Sequence, residues 1–203
     1  MRSTIYNLLI LRLTSQWYAE VLRRLPHGAA LLDVGIGTGG ALLANADTAR
    51  EKGLAITGID IDADYVEHAR RALRDSPLTG RAEVRLESVY DHTGGPYDAI
   101  YFSASFMLLP DPEAALRHCR DLLKPDGRVF FAQTFQTRSS RWTERFKPLL
   151  KRITTIDFGR VTYEAQFREQ VAAAGFVIDE FTILTRHGPR ASVLAIARPA
   201  DSG

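Results

Sequence analysis

Two carboxylates bracket a run of glycines early in the chain: Asp33 in LLDVGIGTGG, Leu31 to Gly40, and Asp60 at the end of LAITGID. Glycines at this density let a backbone turn sharply and approach a ligand closely, and a helix that follows turns its free N–H groups toward that ligand. Gly35, Gly37 and Gly40 satisfy G-x-G-x-x-G, the dinucleotide fingerprint, while Gly35, Gly37 and Gly39 satisfy the G-x-G-x-G of a different nucleotide-type cofactor. Asp60, an acid about 20 positions on, suits a ribose diol in either case. Asp33 is more discriminating. An acid two residues before the first glycine would face a pyrophosphate badly, whereas beside a positively charged ligand it is electrostatically sensible.

Strands and helices in strict alternation position these residues. AALLDV is a short apolar run read as a buried strand, and GGALLANADTAREKG reads as a helix closed by Gly53. LAITGID is a second strand, Asp62 caps the helix ADYVEHARRALRDS before Pro77, and RAEVRLESV is a third strand. YDAIYFSA is the fourth, Asp111 and Pro112 open the helix DPEAALRHCRDLL, and PDG turns it into a fifth strand, RVFFAQTF. This alternation means right-handed crossovers and a parallel sheet covered on both faces. The pattern then changes: residues 136–160 show no strand period, TYEAQFREQVAAAG is helical, and FVIDEFTIL and ASVLAIARP are separated only by TRHGPR. Six residues close a hairpin but cannot hold a crossover helix, so the last two strands must be antiparallel.

A chain of 203 residues, 45% hydrophobic and 25% charged, supports one α/β domain over 1–203, and no repeat or linker divides it. The net charge of +2, from 26 basic against 24 acidic residues, makes no case for nucleic acid. One cysteine, Cys119, excludes an internal disulfide, and the scattered His27, His68, His92, His118 and His187 give no metal spacing. In the opening segment Ile10, Leu13, Trp17 and Val21 recur at three and four, which predicts an amphipathic helix packed on the domain rather than a targeting segment. No apolar run approaches the ~20 residues of a membrane span, and a soluble, cytoplasmic protein is expected.

With Asp33, the glycines, Asp60 and the terminal hairpin in place, the stretch PYDAIYFSASFMLLPDPEAALRHCRDLLKPDGRVFF resembles class I S-adenosylmethionine-dependent methyltransferases element by element, over about Ala30 to Arg198. The resemblance implies an α/β, doubly wound, seven-stranded sheet in the order 3-2-1-4-5-7-6 with strand 7 antiparallel. It also implies S-adenosyl-L-methionine as cofactor and S-adenosyl-L-homocysteine as product. Gly35, Gly37, Thr38 and Gly39 would line the methionine end, Asp33 would orient its amino group, Asp60 would accept both ribose hydroxyls, and Ile61 would pack on adenine. Where the family often has an acid after strand 3, Ser88 stands here, so the backbone of Ser88 and Val89 would serve instead. Ser103, ending strand 4, would border the cofactor.

The acceptor should meet residues after strands 4 and 5: Ser103, Ala104, Ser105 and Phe106, then Gln133 and Thr134. FSASF lacks the Asn or Asp, two prolines and aromatic common in enzymes acting on base amines, which favours a small-molecule N, O or S nucleophile. A cofactor-binding partner subunit and an RNA or protein methyltransferase are the alternatives. The N-terminal helix within residues 1–28 carries Tyr6, Trp17 and Tyr18 and is read as a partial cover, with Tyr6 toward the acceptor. The 136–160 insert is read as a lid. Between Arg138 and Arg152 it carries Arg138, Arg141, Arg145, Lys147, Lys151 and Arg152 against a single acid, Glu144, which suits an anionic acceptor, and Arg145 and Tyr163 join the acceptor-binding set. His92, Asp157, Tyr163 and His187 are candidate bases, none of which is assigned.

Overall fold

The strands form where apolar runs leave both faces free to be covered, as a parallel sheet requires. The computed structural model describes residues 2–136, 163–188 and 190–200. β1 (Ala30–Val34), β2 (Ala55–Asp60), β3 (Ala82–Leu86), β4 (Tyr97–Ser103), β5 (Leu123–Gln136), β6 (Phe176–His187) and β7 (Arg190–Pro199) make one sheet, in the order β3-β2-β1-β4-β5-β7-β6. β1 to β5 run parallel, and β7 is antiparallel to both β5 and β6. Around them lie α1 (Arg2–Arg24), α2 (Gly40–Leu43), α3 (Ala46–Glu51), α4 (Ala63–Arg74), α5 (Pro112–Leu122) and α6 (Glu164–Ala173).

Three boundaries differ from the sequence reading. The single helix expected after the glycines divides into α2 and α3 at Asn45, whose side-chain amide donates to the carbonyls of Ala41 and Ser15 at 2.9 and 3.0 Å. That side chain competes with the helical backbone for its own acceptors. The PDG turn is absorbed into β5: pairing begins at Tyr97 with Leu123 and jumps to Ala99 with Arg128, so Lys124 to Gly127 bulge from the strand. The terminal hairpin is also tighter than six residues, because pairing continues to His187 opposite Arg190.

The helices divide between the faces. Tyr18 and Leu22 of α1, Leu42 of α2 and Val66 and Ala69 of α4 pack with Leu31, Ile56, Tyr101 and Phe130. On the other face Leu116 and Cys119 of α5 and Phe167 and Val171 of α6 pack with Leu32, Ile100, Phe102 and Phe131. Asp62 caps α4 by accepting from the N–H groups of Asp64 and Tyr65, and Asp111 caps α5 by accepting from that of Ala114. Phe131 holds the second layer together: its ring stacks on Phe102 at 5.6 Å and meets Phe106 and Phe167 edge-on at 4.9 and 5.1 Å. Phe131→Ala therefore empties a site shared by three rings, and urea unfolding should register a loss of roughly 3–5 kcal/mol.

Candidate functional site

β1 delivers the chain into the glycine loop, and two backbone bonds pin that loop to the end of β2: the N–H groups of Gly35 and Ile36 both donate to the Ile59 carbonyl, at 2.8 and 3.2 Å. Gly35 has φ +79, and a Cβ there would lie 2.6 Å from the Ser105 Cβ, so both the backbone twist and the close crossing require glycine. Gly37 and Gly39 share the left-handed conformation, and Thr38 is exposed between them. Ser105 closes the crossing from the β4 side, where its hydroxyl donates to the Val34 carbonyl. This bond engages the Ser105 hydroxyl with the strand that carries the loop. It does not leave that hydroxyl free for an acceptor.

The two carboxylates occupy different environments. Asp60 is half-buried at the loop mouth, where its Oδ2 accepts from the Gly37 N–H at 2.9 Å and its Oδ1 from the Asp62 N–H at 3.0 Å. Each oxygen keeps capacity for a further donor. Asp33, in β1, is fully buried; Tyr18 of α1 donates its hydroxyl to Oδ2, and Oδ1 has no partner. Burial, with the Asp60 charge adding to it, holds the Asp33 carboxyl well above the usual carboxylate range. Tyr101 on β4 lies beside Asp33 in register, and its ring meets Tyr18 edge-on at 5.0 Å. The Tyr101 hydroxyl is buried, and burial pushes its ionisation upward against the opposing effect of Ser103. The sequence reading missed Tyr101, although a tyrosine inside the apolar strand YDAIYF carried the signal.

Around the loop, Ile61 is 79% exposed directly after Asp60, an apolar side chain offered to solvent. The Glu87 N–H donates to the Asp60 carbonyl at 3.0 Å, which brings the turn holding half-buried Ser88 and buried Val89 alongside. That turn is anchored from behind. His92 is fully buried, with Nδ1 3.0 Å from Glu87 and Nε2 2.8 Å from the Tyr97 hydroxyl, while its carbonyl takes His118 Nε2 at 2.7 Å. His92 and His118 thus brace the loop between β3 and β4, and His92 is removed from the candidate bases by its position.

Past the loop, half-buried Ser103 ends β4, and Ala104 follows at φ +55, held by its N–H bond to the Ala132 carbonyl at 2.8 Å. Phe106 is 2% exposed within the aromatic cluster, so packing occupies it rather than a cleft. Gln133 is 1% exposed, and neither atom of its amide has a partner. The Thr134 hydroxyl meets that of Ser192 at 3.5 Å. Tyr163 is half-buried at the start of α6, where its carbonyl accepts from the Phe167 N–H. The side chains of Tyr6 and His187, and the whole of the basic insert with Arg145 and Asp157, lie outside the described residues. Among the described residues no three His, Cys, Asp or Glu side chains gather as a metal set, and no helix is long and apolar enough to cross a membrane.

A methyltransferase domain family matches residues 7–180. The chain belongs to that family. This methyltransferase-domain chain is 34% identical over 115 residues to a ubiquinone biosynthesis O-methyltransferase of Xanthomonas axonopodis pv. citri strain 306, an alignment covering 55% of this chain and 46% of that protein. The chain thus spans about half the length of the curated relatives it matches. Among solved structures, the cyclase SpnF superposes with a TM-score of 0.74 at 20% identity, covering 92% of this chain and 81% of that one. Magnesium protoporphyrin IX methyltransferase from Synechocystis PCC 6803, solved with S-adenosylmethionine bound, superposes at 0.63 and 19% identity, with 91% and 79% covered. The sheet order and the antiparallel β7 are those of the class I methyltransferase fold.

Two stability effects follow from this arrangement. A buried acid whose native pKa is raised binds its proton more tightly folded than unfolded, so its contribution is present in acid and is lost as pH rises above the unfolded value of about 3.9. Asp33→Asn removes that loss, and chemical denaturation should find the variant increasingly more stable than wild type from about pH 4 toward neutrality. Gly35→Ala should destabilise by at least about 1–2 kcal/mol from the left-handed backbone alone, and adding Ser105→Gly should recover only the steric part of the loss.

Proposed function

We propose that this chain is an enzyme that transfers a methyl group from S-adenosylmethionine to a hydroxyl oxygen of a small-molecule acceptor. The observation that carries the cofactor half is the unpartnered Oδ1 of Asp33: a fully buried carboxyl, one strand-end away from a glycine loop, with room in its bonding for one more donor. The ammonium of the cofactor's methionine part is such a donor, and its positive charge would offset the burial that holds Asp33 neutral. Asp60, aimed by two backbone N–H groups, would accept from the ribose diol. Gly35, Gly37, Thr38 and Gly39 would let the backbone close on the methionine end, Ile61 would cover the adenine, and the turn at Ser88 and Val89 would border its rim.

When bound, this cofactor would supply a methyl group activated on a sulfonium, whose carbon–sulfur bond breaks to leave a neutral sulfide as the acceptor oxygen bonds to the methyl and gives up its proton. The chain's own task is then to hold the acceptor in line, to exclude water, and to keep the reacting centres at contact distance. Ser103, at the end of β4, would border both ligands. The Gln133 amide, buried with its donor and acceptor both unused, complements a hydroxyl, which also donates and accepts. The name carried by the Xanthomonas relative, an O-methyltransferase, supports oxygen over nitrogen or sulfur as the acceptor atom. Tyr163 stands nearest the start of α6 and is assigned to the acceptor side; no residue is assigned as base.

Calorimetry should detect S-adenosylmethionine and S-adenosylhomocysteine binding with no binding of NAD, and Asp60→Ala should cost about 2 kcal/mol or more if both ribose bonds to the carboxylate are lost. A panel of phenol, amine, thiol and carboxylate acceptors with label in the cofactor methyl tests the reaction itself. Label on phenols alone is expected. Label confined to amines or thiols overturns the oxygen reading, and intact cofactor binding with no labelled product from any class would turn the chain into a cofactor-binding subunit.

A further inference from the structure

Asp33 accepts one hydrogen bond, and that bond comes from outside the sheet. Tyr18 is 2% exposed, its hydroxyl donates to Asp33 Oδ2, and its ring is fixed edge-on against Tyr101. If burial were the whole purpose of this side chain, phenylalanine would serve better, since a hydroxyl placed in the interior costs free energy unless it is bonded. The bond also selects: with Oδ2 engaged, Oδ1 is the oxygen left without a partner.

Tyr18 belongs to α1, and α1 reaches the glycine loop by other contacts. The Asn45 amide between α2 and α3 donates to the Ser15 carbonyl at 3.0 Å, and a Cβ on Gly40 would lie 3.0 Å from Leu11 Cδ1. The helix is therefore seated against the end of the loop and bonded to the acid beneath it at the same time. We infer that Tyr18 is a positioning residue for the cofactor: its hydroxyl fixes which oxygen of Asp33 is left for the ligand's ammonium, and so makes the seating of α1 a condition of tight binding. This inference rests on the assignment of Asp33 to the cofactor.

The groups that face Asp33 oppose one another. Burial and the Asp60 carboxylate of β2 favour its neutral form, Tyr101 of β4 lies alongside in register, and the Tyr18 hydroxyl of α1 donates to it and favours the ionised form. An ammonium ligand prefers the ionised form, so affinity rises with pH through the native Asp33 transition. Loss of the Tyr18 donor moves that transition to higher pH.

The test compares wild type, Tyr18→Phe, Asp33→Asn and the double variant by calorimetry with S-adenosylhomocysteine from mildly acid to neutral pH, with thermal unfolding as a control. Tyr18→Phe keeps the ring and should bind about tenfold more weakly, with the midpoint of its pH dependence displaced upward. The double variant should bind no more weakly than Asp33→Asn alone. Wild-type affinity and midpoint in Tyr18→Phe, with only a lowered unfolding temperature, would overturn the inference and leave Tyr18 a packing residue. Wild-type affinity in Asp33→Asn would overturn the assignment of Asp33 itself. If Tyr18→Phe fails to fold, 3-fluorotyrosine at position 18 supplies a more acidic donor on nearly the same ring; a lowered midpoint upholds the inference, and an unmoved midpoint overturns it.

Discussion

A carboxyl group buried in the middle of a sheet is the feature on which the rest of this site depends. The Asp33 carboxyl is shut off from solvent and accepts one side-chain hydrogen bond, from Tyr18. A residue of this kind is expensive to bury, and apolar replacements of similar volume would stabilise the strand. Its presence makes sense where stability is given up for a ligand contact. The surrounding elements are arranged accordingly: α1 supplies the donor, β4 supplies the aromatic wall, and β2 carries the second carboxylate at a distance where its charge is felt.

Much of this was legible in sequence because it is carried by backbone rules. Alternating apolar runs, Asp62 and Asp111 at helix starts, and a connection too short for a crossover mark the elements and make the last two strands antiparallel, while the strand order was implied only by the family resemblance; all of these appear in the structure. Asp33, Gly35, Gly37 and Asp60 were legible for the same reason, since glycine geometry and strand-end acids are local. What stayed hidden depends on side chains meeting across the sequence. Tyr18 and Asp33 are 15 residues apart, and Ser105 and Val34 are 71 apart, and no periodicity links either pair. Ser105 and Phe106 follow β4 just as the acceptor-facing residues should, yet one is drawn into a bond beneath the loop and the other into the aromatic core.

The Ser105 bond also explains how a strained connection is kept. Ala104 adopts the left-handed conformation that a residue with a Cβ avoids, and it is framed by a backbone bond from its own N–H to β5 and by the bond from its neighbour to β1. The two bonds tie β4 to both flanking strands just where the sheet opens. Gly35 makes that closure possible, because any side chain there would collide with Ser105. The glycine loop and the β4 loop are therefore one unit, and the motif read as a cofactor signature is equally the price of a tight crossing between adjacent strand ends.

The two halves of the site differ in what builds them. The proposed cofactor half uses backbone N–H groups, glycines and two carboxylates at the ends of strands. The proposed acceptor half would use side chains at the ends of β4 and β5, and there the fold leaves its choices open. In this chain those choices put a buried, unpartnered amide at Gln133 on the face that carries Phe131 and Phe135. An amide in such surroundings recovers its lost hydration only from partners that both donate and accept, so on the proposed reading selectivity on this side comes from the cost of leaving Gln133 unsatisfied.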